Sequence, residues 1–229
     1  MKRENRYIRN SMTIDEIEQT KLQQSSVCIL GCGGLGGYII EMLARVGVGQ
    51  LKVVDNDSFD ETNLNRQLLS SLDTIGKSKA LVAKERVLKI NDNVNVIAME
   101  IFVDDNNCVD IIKDYDLVVD ALDSISTRKI VAASCRSLGI PYIYGAIAGW
   151  YGQVSTIMPN EYTLDILYQN DNEIGDEIKL GNLSFTPAIV AGIQVSETIK
   201  VLLSKGELLT GCFLHINLLT NEMEKVIFK

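Results

Sequence analysis

Val27-Cys28-Ile29-Leu30-Gly31-Cys32-Gly33-Gly34-Leu35-Gly36-Gly37 joins an apolar run to a glycine-rich turn. Four apolar residues in a row read as a buried strand. The Gly-x-Gly-x-x-Gly spacing of Gly31, Gly33 and Gly36 reads as the turn into a helix. Such a turn lets backbone approach a phosphate closely and aims the free N–H groups of a helix N-terminus at it. By itself the stretch implies a nucleotide and nothing finer: NAD, ATP or S-adenosylmethionine would fit equally well.

Outward from this turn, strand-like and helix-like runs alternate. That alternation predicts an α/β fold, a Rossmann-like, mostly parallel sheet with helices on both faces, extended by antiparallel C-terminal strands. Residues 1–10 read as an extended arm, and Thr13-Ile14-Asp15-Glu16 as a capping box opening a helix to about Gln24. Strands are expected at Val27–Leu30, Leu51–Val54, Val94–Ala98, Leu117–Val119 and Tyr142–Tyr144. Helices are expected to about Val46, from near Ser78, over 106–113 and over 125–138. From Trp150 the pattern changes to a strand over 150–158, then a crossing loop over 159–185 that holds six acids against one lysine. Thr186 as N-cap and Pro187 at the first helical position predict a helix to about Leu203. Strands over 212–218 and 222–228 end the chain. The expectation is a single domain over 1–229, made of an arm (1–25), a nucleotide-binding half (26–145) and a second half (146–229).

With 229 residues, 46% hydrophobic and 23% charged, the composition is that of a globular domain. The formal net charge of −8 argues against a long nucleic acid as partner. No apolar run approaches the ~18 residues of a membrane span, and the charged start Met1 to Arg6 leads to no signal-like segment. A cytoplasmic protein with no membrane partner is expected. The five cysteines, Cys28, Cys32, Cys108, Cys135 and Cys212, form no Cys-x-x-Cys pair, so no zinc site is expected.

Asp55 follows strand two, about 20 residues beyond the turn, where a carboxylate accepts from a ribose. Asn63-Leu64-Asn65-Arg66-Gln67 and Gly76-Lys77-Ser78-Lys79 come next, on loops leaving the same side of the sheet. A dehydrogenase needs no further cations beside its pyrophosphate. A reaction that develops charge on a triphosphate does, because stabilising that charge is most of the catalysis. Arg66 and Lys79 are the cations expected to do so. Asp123, on the same rim in Asp120-Ala121-Leu122-Asp123, can hold Mg²⁺ that bridges phosphate oxygens. Asp120 reads as structural, and Arg128 as a partner for Asp123 or a phosphate.

Taken together, Arg6-Tyr7-Ile8-Arg9, the glycine turn, Asp55-x-Asp57, Asn63-Leu-x-Arg66-Gln67, Gly76-x-x-Lys79, Asp120-x-x-Asp123 and Gly149-x-x-Gly-Gln153 resemble the ThiF/MoeB/HesA family, prokaryotic relatives of ubiquitin-activating enzymes. The resemblance implies an adenylyltransferase that uses ATP and Mg²⁺. Its substrate would be the C-terminal glycine carboxylate of a small ubiquitin-like β-grasp sulfur carrier ending in Gly-Gly, for thiamine, molybdopterin or related sulfur chemistry. It implies that Gly33 and Gly34 lie against the nucleotide, that Asp55 binds the ribose, that Asn63, Arg66 and Lys79 hold phosphates, and that Asp123 holds Mg²⁺. It further implies a homodimer in which Arg9 reaches the partner's site, and an external sulfur donor. Three departures stand out: no zinc-binding cysteine pairs, no cysteine over 158–186, and Ser124 where the family usually has asparagine. These keep a second reading open, a nucleotide-binding scaffold of the same fold with reduced catalysis. A third is an NAD-dependent oxidoreductase, against which stands the absence of any Tyr-x-x-x-Lys pair. His215 reads as a core or edge residue, Cys32 as a small filler, and Trp150 and Tyr151 as packing residues.

Overall fold

The computed structural model of the chain describes residues 5–168 and 180–228. Its strands are β1 (Ser26–Leu30), β2 (Gln50–Val54), β3 (Asn95–Met99), β4 (Leu117–Asp120), β5 (Tyr142–Ala148), β6 (Tyr151–Ile157), β7 (Cys212–Asn217) and β8 (Glu222–Ile227). They form one sheet in the order β3-β2-β1-β4-β5-β6-β7-β8. The first five are parallel and the last three antiparallel. This is the architecture expected from the sequence.

Helices α1 (Glu16–Gln24), α2 (Gly34–Val46) and α3 (Lys79–Ile90) alternate with the early strands. They are followed by α4 (Cys108–Ile112), α5 (Ile125–Leu138), α6 (Thr163–Leu167) and α7 (Phe185–Leu203). Because both faces of β1 are covered, its apolar residues run without alternation. Val27 and Ile29 join a core with Ile39 and Leu43 of α2 and Val190 of α7. Cys28 and Leu30 join the other core, with Ile112 of α4 and Val131 of α5. By length and composition α7 meets the measure of a membrane-crossing helix, yet half of it is buried within the protein, against α2, β5 and β6. It is a core helix.

Several local expectations shift. The arm is a 3-10 helix over Asn5–Asn10, because Tyr7 is buried beside Gly47 and accepts a hydrogen bond from Asn91. The capping box of α1 is Asp15 with Glu18, not Thr13 with Glu16: Asp15 accepts from the Glu18 N–H at 2.8 Å and Glu18 accepts from the Asp15 N–H at 3.0 Å. β5 continues four residues past Tyr144 because it turns through Gly149 and pairs with β6 as a hairpin. α7 starts one residue before Thr186, whose hydroxyl donates to the Gly149 carbonyl instead of capping the helix. The crossing loop contains α6, and its residues 169–179 lie outside the described residues. Trp150 is 40% exposed against Phe185, so it is no core residue. Tyr151 stacks on His215 of β7.

Candidate active site

In the sheet register Leu30 lies beside Val54 on one side and Asp120 on the other. The chain therefore leaves β1, β2 and β4 at one rim, through Gly31, Asp55 and Ala121. Strand order reverses between β1 and β4, where an open α/β sheet leaves a crevice at the carboxyl ends of its strands. Two glycines are dictated by this packing. Gly31 has φ +98°, and a Cβ there would strike the Ala121 carbonyl; a Cβ on Gly36 would strike the Gly31 carbonyl oxygen.

One pocket on the rim is lined by Gly31, Gly33 and Gly34, by Asp55 and Asp57 after β2, by Arg66, Gln67 and Lys79, and by Asp123 after β4. The motif residues, spread over some ninety positions of chain, thus share a wall. Gly36, Asn63 and Arg9 lie outside that lining. Gly36 acts through close packing of α2 on the turn. Asn63 is buried and accepts from the Asp60 N–H at 3.2 Å, shaping the loop that carries Arg66. Arg9 is exposed on the 3-10 helix, which Arg6 anchors by an ion pair to Asp92 at 2.9 Å.

Asp55 accepts from the Cys32 N–H at 2.7 Å and the Asp57 N–H at 2.8 Å, so its carboxylate ties the glycine turn to the loop after β2. Burial raises its pKa, and those two N–H groups and Lys79 oppose the rise. Burial likewise pushes the Cys32 thiol up, and Asp55 adds to the shift; this is an inert filler, not a reactive thiol. Lys79 is buried and pairs with Asp57 Oδ2 at 2.9 Å, while its backbone N–H holds the Asp57 carbonyl. Arg66 donates through Nη1 to the Thr62 carbonyl at 3.0 Å and Asn65 Oδ1 at 2.9 Å. Asp123 stands exposed at the pocket, and the next residue, Ser124, caps α5.

Arg128 does not pair with Asp123. It pairs with Asp120 at 3.2 Å, the two side chains being 7% and 0% exposed. Asp120 accepts also from the Tyr142 hydroxyl and the Leu122 N–H. Burial raises the Asp120 pKa against the pull of Arg128. Burial works against the Arg128 charge, and Asp120 together with Tyr144, Tyr168 and Tyr142 outweighs it, raising that pKa.

Other lining residues escaped the sequence reading. Ile101, Phe102 and Val103 follow β3 and make an apolar wall, a signal available from their place after a strand end. Ala146 and Ile147 sit on the part of β5 beyond its expected end. Asn182 reaches the pocket by tertiary folding alone. The amide oxygens of Gln67 and Asn182 are buried with no hydrogen-bond partner among the described residues. A polar ligand would complete them.

A Rossmann-type sheet with a glycine-rich turn, two cations and a carboxylate lining one pocket at its rim defines the class of the protein. The ThiF family profile matches residues 7–228, and the chain belongs to the ThiF family. A probable molybdopterin-synthase adenylyltransferase of Porphyra purpurea is 36% identical over 90% of this chain, which spans only 56% of that relative. The sulfur carrier protein adenylyltransferase of Thermus thermophilus is 33% identical over 91% of this chain and 80% of its own length. Among solved structures, E. coli MccB with SeMet MccA matches with a TM-score of 0.86 at 26% identity, over 97% of this chain and 71% of that one.

Proposed function

We propose that the pocket adenylates the C-terminal glycine carboxylate of a small β-grasp sulfur carrier ending in Gly-Gly. The reading is supported most directly by Arg66, Lys79 and Asp123 lining the same pocket as the glycine turn. Adenylyl transfer in the names of the relatives, and a sulfur carrier in one of them, agree with it.

ATP fits by the chemistry of the walls. Asp55 takes the ribose hydroxyls, the apolar wall Ile101–Val103 takes the base, and the turn with Arg66 and Lys79 takes the triphosphate. Arg66 has donors left for this, because both its described bonds use Nη1. Lys79 is held by Asp57 until a more charged partner competes for its ammonium. A carboxylate oxygen of the carrier attacks the α-phosphorus, the bond to the β-phosphate oxygen breaks, and pyrophosphate leaves. The side chains lower the barrier by offsetting repulsion between the incoming carboxylate and the triphosphate. Asp123 would hold Mg²⁺, which would supply charge neutralisation for the leaving pyrophosphate. That donor set suits Mg²⁺, which takes few protein carboxylates; among the described residues no cluster of three or more His, Cys, Asp or Glu gathers for a metal.

The exposed Arg9 lies outside this chain's own pocket, in keeping with a homodimer in which it serves the partner's site. All five cysteines are buried, in keeping with an external sulfur donor, and the reading takes the protein as cytoplasmic. The test is isotope exchange between pyrophosphate and ATP in the presence of Gly-Gly-ended carriers. Carrier-dependent exchange is expected. Tight ATP binding with no exchange for any such carrier overturns the reading.

A further inference from the structure

Helix α5 carries two arginines, eight residues apart, that both grip the segment of α6. Arg136 pairs with Asp165 at 2.5 Å and lies over the Tyr162 ring at 3.9 Å. Arg128, at the pocket end of α5, donates to the Tyr168 hydroxyl at 3.0 Å. The same Arg128 guanidinium donates to the Leu122 carbonyl, one residue before Asp123, and to the Gly145 carbonyl at 3.0 Å, one residue before Ala146 of the pocket wall. Three pieces of chain therefore converge on one buried cation: the rim after β4, the wall formed by β5, and the residue that follows α6. Asp120 supplies the countercharge. On its other side Tyr168 meets the Tyr144 hydroxyl at 2.8 Å, and Tyr144 reaches Gln153 of β6 at 3.3 Å.

The position matters because of what the rest of the pocket is given to. Ribose, base and triphosphate occupy the walls after β2, after β3 and at the glycine turn, on the reading above. The wall left for an incoming peptide terminus is that of β5, with Ala146 and Ile147. Tyr168 does not line the pocket; it stands behind that wall, bonded to the arginine that fixes it.

We infer that Tyr168 is a positioning residue for the peptide terminus: through Arg128 it holds the β5 wall in register, acting on the carrier step and not on nucleotide binding. The inference rests on the adenylation reading, and the experiment separates the two. ATP affinity by calorimetry and carrier-dependent pyrophosphate exchange are measured for the wild type, Tyr168→Phe and Tyr144→Phe. Tyr168→Phe removes one hydroxyl and no packing volume, so folding is retained and a melting curve checks it. It is expected to keep wild-type ATP affinity and to lower carrier kcat/KM about tenfold, the size of one hydrogen bond to a charged group. Tyr144→Phe leaves the Arg128–Tyr168 bond in place and is expected to keep wild-type values for both. Wild-type exchange by Tyr168→Phe, equal losses in the two variants, or a parallel loss of ATP affinity overturns the inference. Failure of the wild type to exchange at all overturns the adenylation reading instead.

Discussion

The rim after β1, β2 and β4 and the three-stranded extension β6–β8 are built from the same sheet but by different rules. On the rim, side chains are specified by geometry: Gly31 and Gly36 admit no Cβ, Asp55 caps two loops, and Asp120 neutralises a buried arginine. In the extension the constraint fades outward, from β6, buried at five of its seven positions, to β7, mostly half-buried. β8 is exposed along its whole length, with Met223 at 57% and Ile227 at 72%. The proposed chemistry thus sits where packing leaves little choice, and the outermost strand, β8, is expected to tolerate exchange.

The comparison breaks first if the rim proves as tolerant as the edge. Asp123→Ala removes an exposed carboxylate and is expected to leave the fold intact while lowering adenylation by at least about 100-fold, the scale of losing one preorganised electrostatic partner. Steady-state exchange and a melting curve on the same sample check both halves. Next in size, Asp120→Asn strips the countercharge from buried Arg128. The expected cost is about 3–5 kcal/mol of stability, read from urea unfolding, because one partner of a desolvated ion pair is left behind. At the far edge, Ile227→Lys should change stability by less than about 0.5 kcal/mol. A cost there as large as that of Asp120→Asn would erase the distinction between the regions.

The same contrast decides what could be read from the sequence. The nucleotide half was legible because its signals are local and rigid. An apolar run with no alternation means a strand covered on both faces. A Gly-x-Gly-x-x-Gly turn has few other uses. An acid at each strand end lands on one rim once the strands are parallel. Ambiguity entered where one pattern fitted twice: Thr13 to Glu16 and Asp15 to Glu18 both match a capping box, and only the path of the chain selects the second. Thr186 before proline has the identity of a cap, yet its hydroxyl is taken by Gly149 across space. The pairing of Arg128 with Asp120, not Asp123, depends on which carboxylate is buried, and spacing does not encode that. In the same way Asn63 belongs to the Asn-Leu-x-Arg-Gln motif, and in the structure it braces the loop from behind. Asn182 and the Tyr168 contact come from tertiary folding with no local signature.

On the proposed reading Arg66 and Lys79 hold the outer phosphates of a nucleotide whose sugar rests on Asp55. Calorimetric titration of ATP and AMP against the wild type, Arg66→Ala and Lys79→Ala tests it without any carrier. Each variant is expected to lose at least about tenfold in ATP affinity, near the lower value for a charge-assisted hydrogen bond, while AMP affinity stays unchanged. Equal weakening of ATP and AMP, or no weakening of ATP, would contradict it.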